Sequence, residues 1–171
     1  MPAGLRYELV EGELRMVPSP SVFHQEISKR LLRILLEWIE DRGLGMVYDA
    51  PIDVVLSEHN VVQPDLLYIS RERLGIIKEA NIWGAPDLAV EILSPSTAEW
   101  DRVTKRRAYA KYGVHELWIV YLEGHSIEIS TLQATALQSY ELAAWQTFPE
   151  GTVLKSPLLP GLELDLSRLF R

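Results

Sequence analysis

The chain has no cysteine among its 171 residues, so disulfides and thiolate metal sites are excluded. Long apolar runs are missing too: Glu37 and Glu40 interrupt the longest helical candidate, so no membrane span and no membrane partner are expected. The N-terminus lacks the charged-then-apolar pattern of a signal peptide, which makes the cytoplasm the expected location. Positive charge is scarce. Lys and Arg number 17 against 24 Asp and Glu, giving a formal charge of −7 and a pI near 5.1. Taken alone, that balance argues against a protein that coats nucleic acid, because phosphate contacts need clustered cations. Internal repeats, low-complexity tracts and linkers are absent as well. What remains is an ordinary globular composition, 47% apolar and 24% charged, long enough for one domain over 1–171 with a sizeable core.

The patterning predicts an α/β fold with a mixed central sheet flanked by helices. Residues 6–17, RYELVEGELRMV, read as an N-terminal β-hairpin turning at Glu11-Gly12. PSPS at 18–21 ends it, with Ser21 placed to cap a helix over 22–42. That helix carries an apolar stripe of Ile27, Leu31, Ile34, Leu35 and Trp38, widened by Leu32, Leu36 and Ile39, and ends at Gly43. Strands are expected at 45–49, 52–56 and 61–69, the last with Pro64 just before Asp65. Residues 71–86 read as a short helix or loop. Further strands are expected at 114–121, 126–132 and 139–148, and GLELDLSRLF closes the chain as a short strand or helical turn.

The stretch APDLAVEILSPSTAEWDRVTKRRAYAKYG, 85–113, organises the rest. Leu88, Val90 and Ile92 alternate with Asp87, Ala89, Glu91 and Leu93, so one strand face is apolar and the other carries two carboxylates. A helix follows over 97–112, with Ser96 and Glu99 at capping-box spacing and Gly113 as its terminator. Asp101, Lys105, Tyr109 and Tyr112 recur along one side of it. If the strands holding Asp65 and Glu91 are neighbours, the two carboxylates can converge on one hard cation. Mg²⁺ suits such a site, since it needs one or two carboxylates and keeps several waters. Asp87 shares the face of Glu91 but lies about 13 Å away along an extended strand, a supporting or strand-start position. Each has a plain alternative: for Asp65, pairing with a nearby cation; for Asp101 with Lys105, an ordinary i,i+4 pair. Glu91, mid-strand between apolar residues, needs a partner or a metal.

PD in a strand, then GAPDLAVEILSPST, then D-x-x-x-K-x-x-x-Y on a helix, then GVHELWIV resemble the Uma-two family of restriction endonucleases. The family is similar to the wider PD-(D/E)xK nuclease fold. YELVEGEL and PSPSVFHQEI resemble its N-terminal part, so the likeness spans roughly 5–130. The resemblance implies a restriction-endonuclease-like core, a Mg²⁺ (or Mn²⁺) site, and hydrolysis of DNA phosphodiester bonds through a metal-activated water. It places the metal-binding acids at Asp65 and Glu91. Two residues after Glu91, where the general nuclease pattern has lysine, stands Leu93, and Lys105 on the following helix looks like the migrated replacement. His24 and Glu26 fall near family positions on the first helix, although both could equally be helix-terminus residues.

Five basic residues and no acidic one lie between Arg102 and Lys111. A solvated helix face is the bland reading; on the nuclease reading Arg102, Arg106, Arg107 and Lys111 contact DNA phosphates. An enzyme cutting both strands of a duplex would most simply act as a homodimer. Two rivals stand beside it: a catalytically inactive nuclease-fold module that binds nucleic acid or protein, favoured by the acidic total and Leu93, and a small-molecule phosphoesterase using the same metal.

Overall fold

The computed structural model describes residues 5–134 and 139–171. β1 (Arg6–Val10) and β2 (Glu13–Val17) form the expected hairpin, and Glu11 and Gly12 both take positive φ, as a tight two-residue turn demands. α1 (Val22–Leu35) begins at Ser21, whose hydroxyl accepts from the His24 N–H at 3.1 Å, and runs on through a π-helical turn at Leu36–Glu40. β3 (Gly45–Asp49) follows. Gly45 has φ 155°, and a Cβ there would meet the Ile69 carbonyl at 2.0 Å, so only glycine fits the crossing.

β4 (Val54–Ser57), β5 (Asn60–Val62), β6 (Leu66–Ser70) and β7 (Ile82–Trp83) come next, with a 3₁₀ helix at Arg71–Ile76 between the last two. The single strand expected at 61–69 is thus two, in different sheets. Pro64 has no N–H to give a ladder, and the Gln63 N–H donates to the Glu8 carboxylate at 2.7 Å instead, so the chain turns away at 63–65.

β8 (Leu88–Leu93) is buried along its whole length. The helical stretch after it holds a π-helical segment, Trp100–Lys105, and then α2 (Arg106–Tyr112), which ends at Gly113 in the left-handed conformation. The capping box does not form: the Ser96 hydroxyl lies 3.1 Å from that of Ser94, and the Thr97 N–H donates to the Ser94 carbonyl. β9 (Glu116–Tyr121) and β10 (Ser126–Ala134) match expectation. The strand expected at 139–148 divides into β11 (Tyr140–Leu142) and β12 (Gln146–Pro149), both paired with β10. The Ala143 carbonyl at the break is taken by Arg106 and by the Ser130 hydroxyl. β13 (Val153–Lys155), β14 (Glu163–Asp165) and α3 (Leu166–Leu169) close the chain.

The strands make a mixed central sheet in the order β11-β10-β9-β8-β6-β3, a second sheet in the order β2-β1-β5-β4-β7, and the small β13-β14 pair. Within the central sheet β8 and β9 are parallel, joined by the helical crossover, and β6 lies antiparallel to β8. Both faces of this sheet are covered. Leu88, Val90 and Ile92 pack with α1 and the C-terminal elements, whereas Ala89 and Leu93 pack with α2 and the second sheet. No helix among the described residues is long and apolar enough to cross a membrane.

Candidate active site

β6 and β8 pair with Leu66 opposite Val90, so one further step of the same register brings Asp65 opposite Glu91. Directly opposed residues have Cβ atoms about 5 Å apart on one face of the sheet. Asp65 closes the end of the ladder with its side chain: Oδ2 accepts the Ile92 N–H at 2.7 Å. Its other oxygen faces His24 Nε2 at 3.3 Å, while Nδ1 of that histidine is buried without a partner among the described residues. Asp65 and Glu91 line one cavity of about 210 Å³ between β8, the helical crossover and the hairpin.

Lys105 enters the same wall from the π-helical segment. It is 1% exposed, and its ammonium lies 2.6 Å from Glu91, 2.8 Å from Glu8 and 3.4 Å from Asp101. One helical turn on, the Tyr109 hydroxyl donates to the same Glu91 oxygen, Oε1. The π segment matters here, because π turns insert a residue into a helix and so re-aim the side chains around them. Burial pushes the Glu91 carboxyl well above the usual carboxylate range; Lys105 opposes that, and Asp101, Glu8 and Asp65 add to it. Burial likewise raises Asp101. Lys105 is discouraged from charging by burial, yet Glu8, Glu91 and Asp101 outweigh this and hold it protonated. One ammonium therefore faces three carboxylates.

Sequence spacing did not reveal Glu8, which is 97 positions from its partner Lys105. Its only sequence signal was a carboxylate inside an otherwise apolar-alternating hairpin. Arg6 and Arg15, which also line the cavity, were missed for the same reason.

Other expected residues lie elsewhere. Asp87 sits at the far end of β8, where it binds Arg73 at 3.1 Å, His115 at 3.0 Å and the Ser70 N–H at 2.7 Å; it fixes a strand start. Glu26 pairs with Arg30 on α1, away from the cavity. Arg102, Arg106, Arg107 and Lys111 line a different cavity, of about 570 Å³. Three of them are engaged: Arg102 with Glu128 at 3.2 Å, Arg107 with Glu11 at 3.2 Å, and Arg106 with the Leu142 and Ala143 carbonyls.

Among the described residues, no three His, Asp or Glu side chains are grouped so as to hold a metal. Two carboxylates are nevertheless enough for Mg²⁺, which retains water in its other positions. The hard oxygen donors of Asp65 and Glu91, in a pocket with surplus negative charge, fit that ion.

The family model described as "Uma2: Putative restriction endonuclease" matches residues 1–167. Among solved structures, one from Anabaena variabilis ATCC 29413, described as "a putative nuclease belonging to DUF820", is similar with a TM-score of 0.79. It is 18% identical, and the match covers 96% of this chain and 89% of that one, so the likeness establishes the fold. No curated protein shows a significant match. With the family model matched over almost its whole length, the chain belongs to the Uma2 family.

Proposed function

We propose that this protein is a divalent-metal-dependent endonuclease that hydrolyses phosphodiester bonds in DNA. The observation that carries the reading is the opposition of Asp65 and Glu91 across β6 and β8 at one cavity, with the Lys105 ammonium 2.6 Å from Glu91. Asp65 and Glu91 would hold the ion, either Mg²⁺ or Mn²⁺, with the Ile92 carbonyl as a further oxygen donor. A bound ion of this kind polarises a phosphoryl oxygen and lowers the pKa of water. The chain's own contribution is orientation and charge. Tyr109 and Lys105 fix the Glu91 carboxylate from one side, and the Ile92 N–H and His24 fix Asp65. Lys105, held protonated by the surrounding acids, supplies positive charge for the negative charge that develops on phosphate in the transition state.

The test is single-turnover plasmid cleavage with Mg²⁺ beside a metal-binding isotherm. Asp65→Asn and Glu91→Gln should lose metal binding and cleavage together. Lys105→Gln, assayed below its own melting transition, should keep metal binding and lose about a hundredfold in rate, the scale of one transition-state electrostatic donor. One observation favours the inactive-module reading: Glu91 already accepts from both Tyr109 and Lys105. Wild-type protein that binds DNA but neither cleaves it nor takes up Mg²⁺ would select that reading.

A further inference from the structure

The cross-strand register of the hairpin sets Glu8 opposite Arg15 and Arg6 opposite Val17. With the two-residue period of a strand, these four side chains share a face, and all four line the cavity that holds Asp65 and Glu91. Glu8 is spent on Lys105. Arg6 and Arg15 are not spent on any acid. Arg6 donates through Nε to the Gln63 side-chain oxygen at 2.9 Å. The Arg15 guanidinium lies 4.6 Å from the centre of the Trp100 ring. Among the described residues, neither has a carboxylate partner.

The wall beneath them is polar and incompletely satisfied. Trp100 is 5% exposed, lines the cavity, and has a buried Nε1–H without a partner among the described residues. The Ser94, Ser96 and Thr97 side chains continue the wall. An anionic substrate entering here meets Glu8, Asp65, Glu91 and Asp101, and Lys105 is occupied by three of these. Cations with free donors must therefore come from elsewhere on the wall. The basic run on the helix is poorly placed for that, since it lines another cavity and three of its members are engaged within the protein. A guanidinium fork, in contrast, matches phosphate oxygens in geometry as well as charge.

We propose that Arg6 and Arg15 form a phosphate clamp in which the N-terminal hairpin holds the phosphodiester backbone of the substrate strand against the cavity. The inference deepens the nuclease reading and rests on it. Its test is binding of a fluorescent DNA oligonucleotide, duplex and single-stranded, by anisotropy in EDTA over a NaCl series, so that no cleavage intervenes. Arg6→Gln and Arg15→Gln remove the charge and keep a polar side chain. Each should weaken binding about tenfold and lower the log–log salt slope by about 0.9, the signature of one lost phosphate contact. Thermal melting should stay at the wild-type value. Arg15→Lys, which retains charge over Trp100, should keep the wild-type slope.

A double variant with the wild-type slope and affinity would overturn the clamp alone. Arg15→Lys behaving as Arg15→Gln would also overturn it, by assigning the effect to packing on Trp100. Wild-type protein that binds neither oligonucleotide in EDTA, nor with Ca²⁺ in place of Mg²⁺, would overturn the DNA-cleaving reading, and the clamp with it.

Discussion

Lys105 is the residue on which the site's electrostatics turn. A buried ammonium surrounded by Glu8, Glu91 and Asp101 is compensated, but the reverse also holds: those acids depend on it. Removing one partner of a buried ion pair leaves uncompensated charge and costs about 3–5 kcal/mol. Replacing Lys105 with alanine is thus not the clean catalytic probe that its helix position suggests from sequence. Lys105→Met should lower the unfolding free energy of the metal-free protein, measured by urea titration, by an amount on that scale. Glu8→Gln should cost much less, because the amide oxygen can still accept the Gln63 N–H and two acids remain on the lysine. Equal losses in the two variants would show that the lysine does not carry the cluster.

The elements divide the labour in a way that was partly legible. The alternation in β8, the apolar stripe of α1 and the terminator Gly113 were all readable, because each depends on spacing within one element. The adjacency of the Asp65 and Glu91 strands followed from the apolar run on both. What sequence could not show was set by contacts between elements. Pro64 was visible, but the Glu8 carboxylate that takes the Gln63 N–H and helps split 61–69 into two strands comes from the hairpin. The break after Leu142 depends on the Arg106 guanidinium, and the failed capping box on a Ser94–Ser96 contact. The π segment at Trp100–Lys105 was likewise hidden, since placing Asp101, Lys105 and Tyr109 on one side by their four-residue spacing assumes a regular helix. Its consequence can be tested. Val103 is exposed and lies inside the segment, and deleting it should let the helix relax to α geometry. A π turn holds one inserted residue, so its removal leaves the flanking turns in place and re-aims the side chains within the segment, Trp100 and Asp101 among them. The variant should keep its far-ultraviolet circular dichroism but lose cleavage, as Asp101 and Trp100 leave the wall that Lys105 and Tyr109 occupy. Retained activity would show that the π turn is incidental to the site.

Across the whole molecule, the acidic total is not spread evenly in its effect. Much of the surface charge is neutralised in pairs such as Arg33–Glu37, Arg107–Glu11 and Lys155–Glu163, each worth little to stability. The cavity is different, because its carboxylates are buried or half-buried and one ammonium serves three of them. Glu91 and Asp101, whose charge is disfavoured by burial and by the neighbouring acids, hold the folded state under strain that a cation would relieve. A divalent ion that binds the native cavity and not the unfolded chain stabilises by mass action, by about 2.7 kcal/mol at a hundredfold excess over its dissociation constant. Mg²⁺ should therefore raise the melting temperature in a saturable way, whereas NaCl at matched ionic strength should not. Asp65→Asn and Glu91→Gln should each remove the Mg²⁺ increment. Glu91→Gln should melt no lower than wild type in EDTA, since burial and the neighbouring acids already disfavour the Glu91 charge. This measurement needs no substrate and separates the two halves of the functional reading. A Mg²⁺ increment that survives in both variants would place the ion outside the β6–β8 pair, and no increment in the wild type would leave the cavity without the metal that the proposed hydrolysis requires.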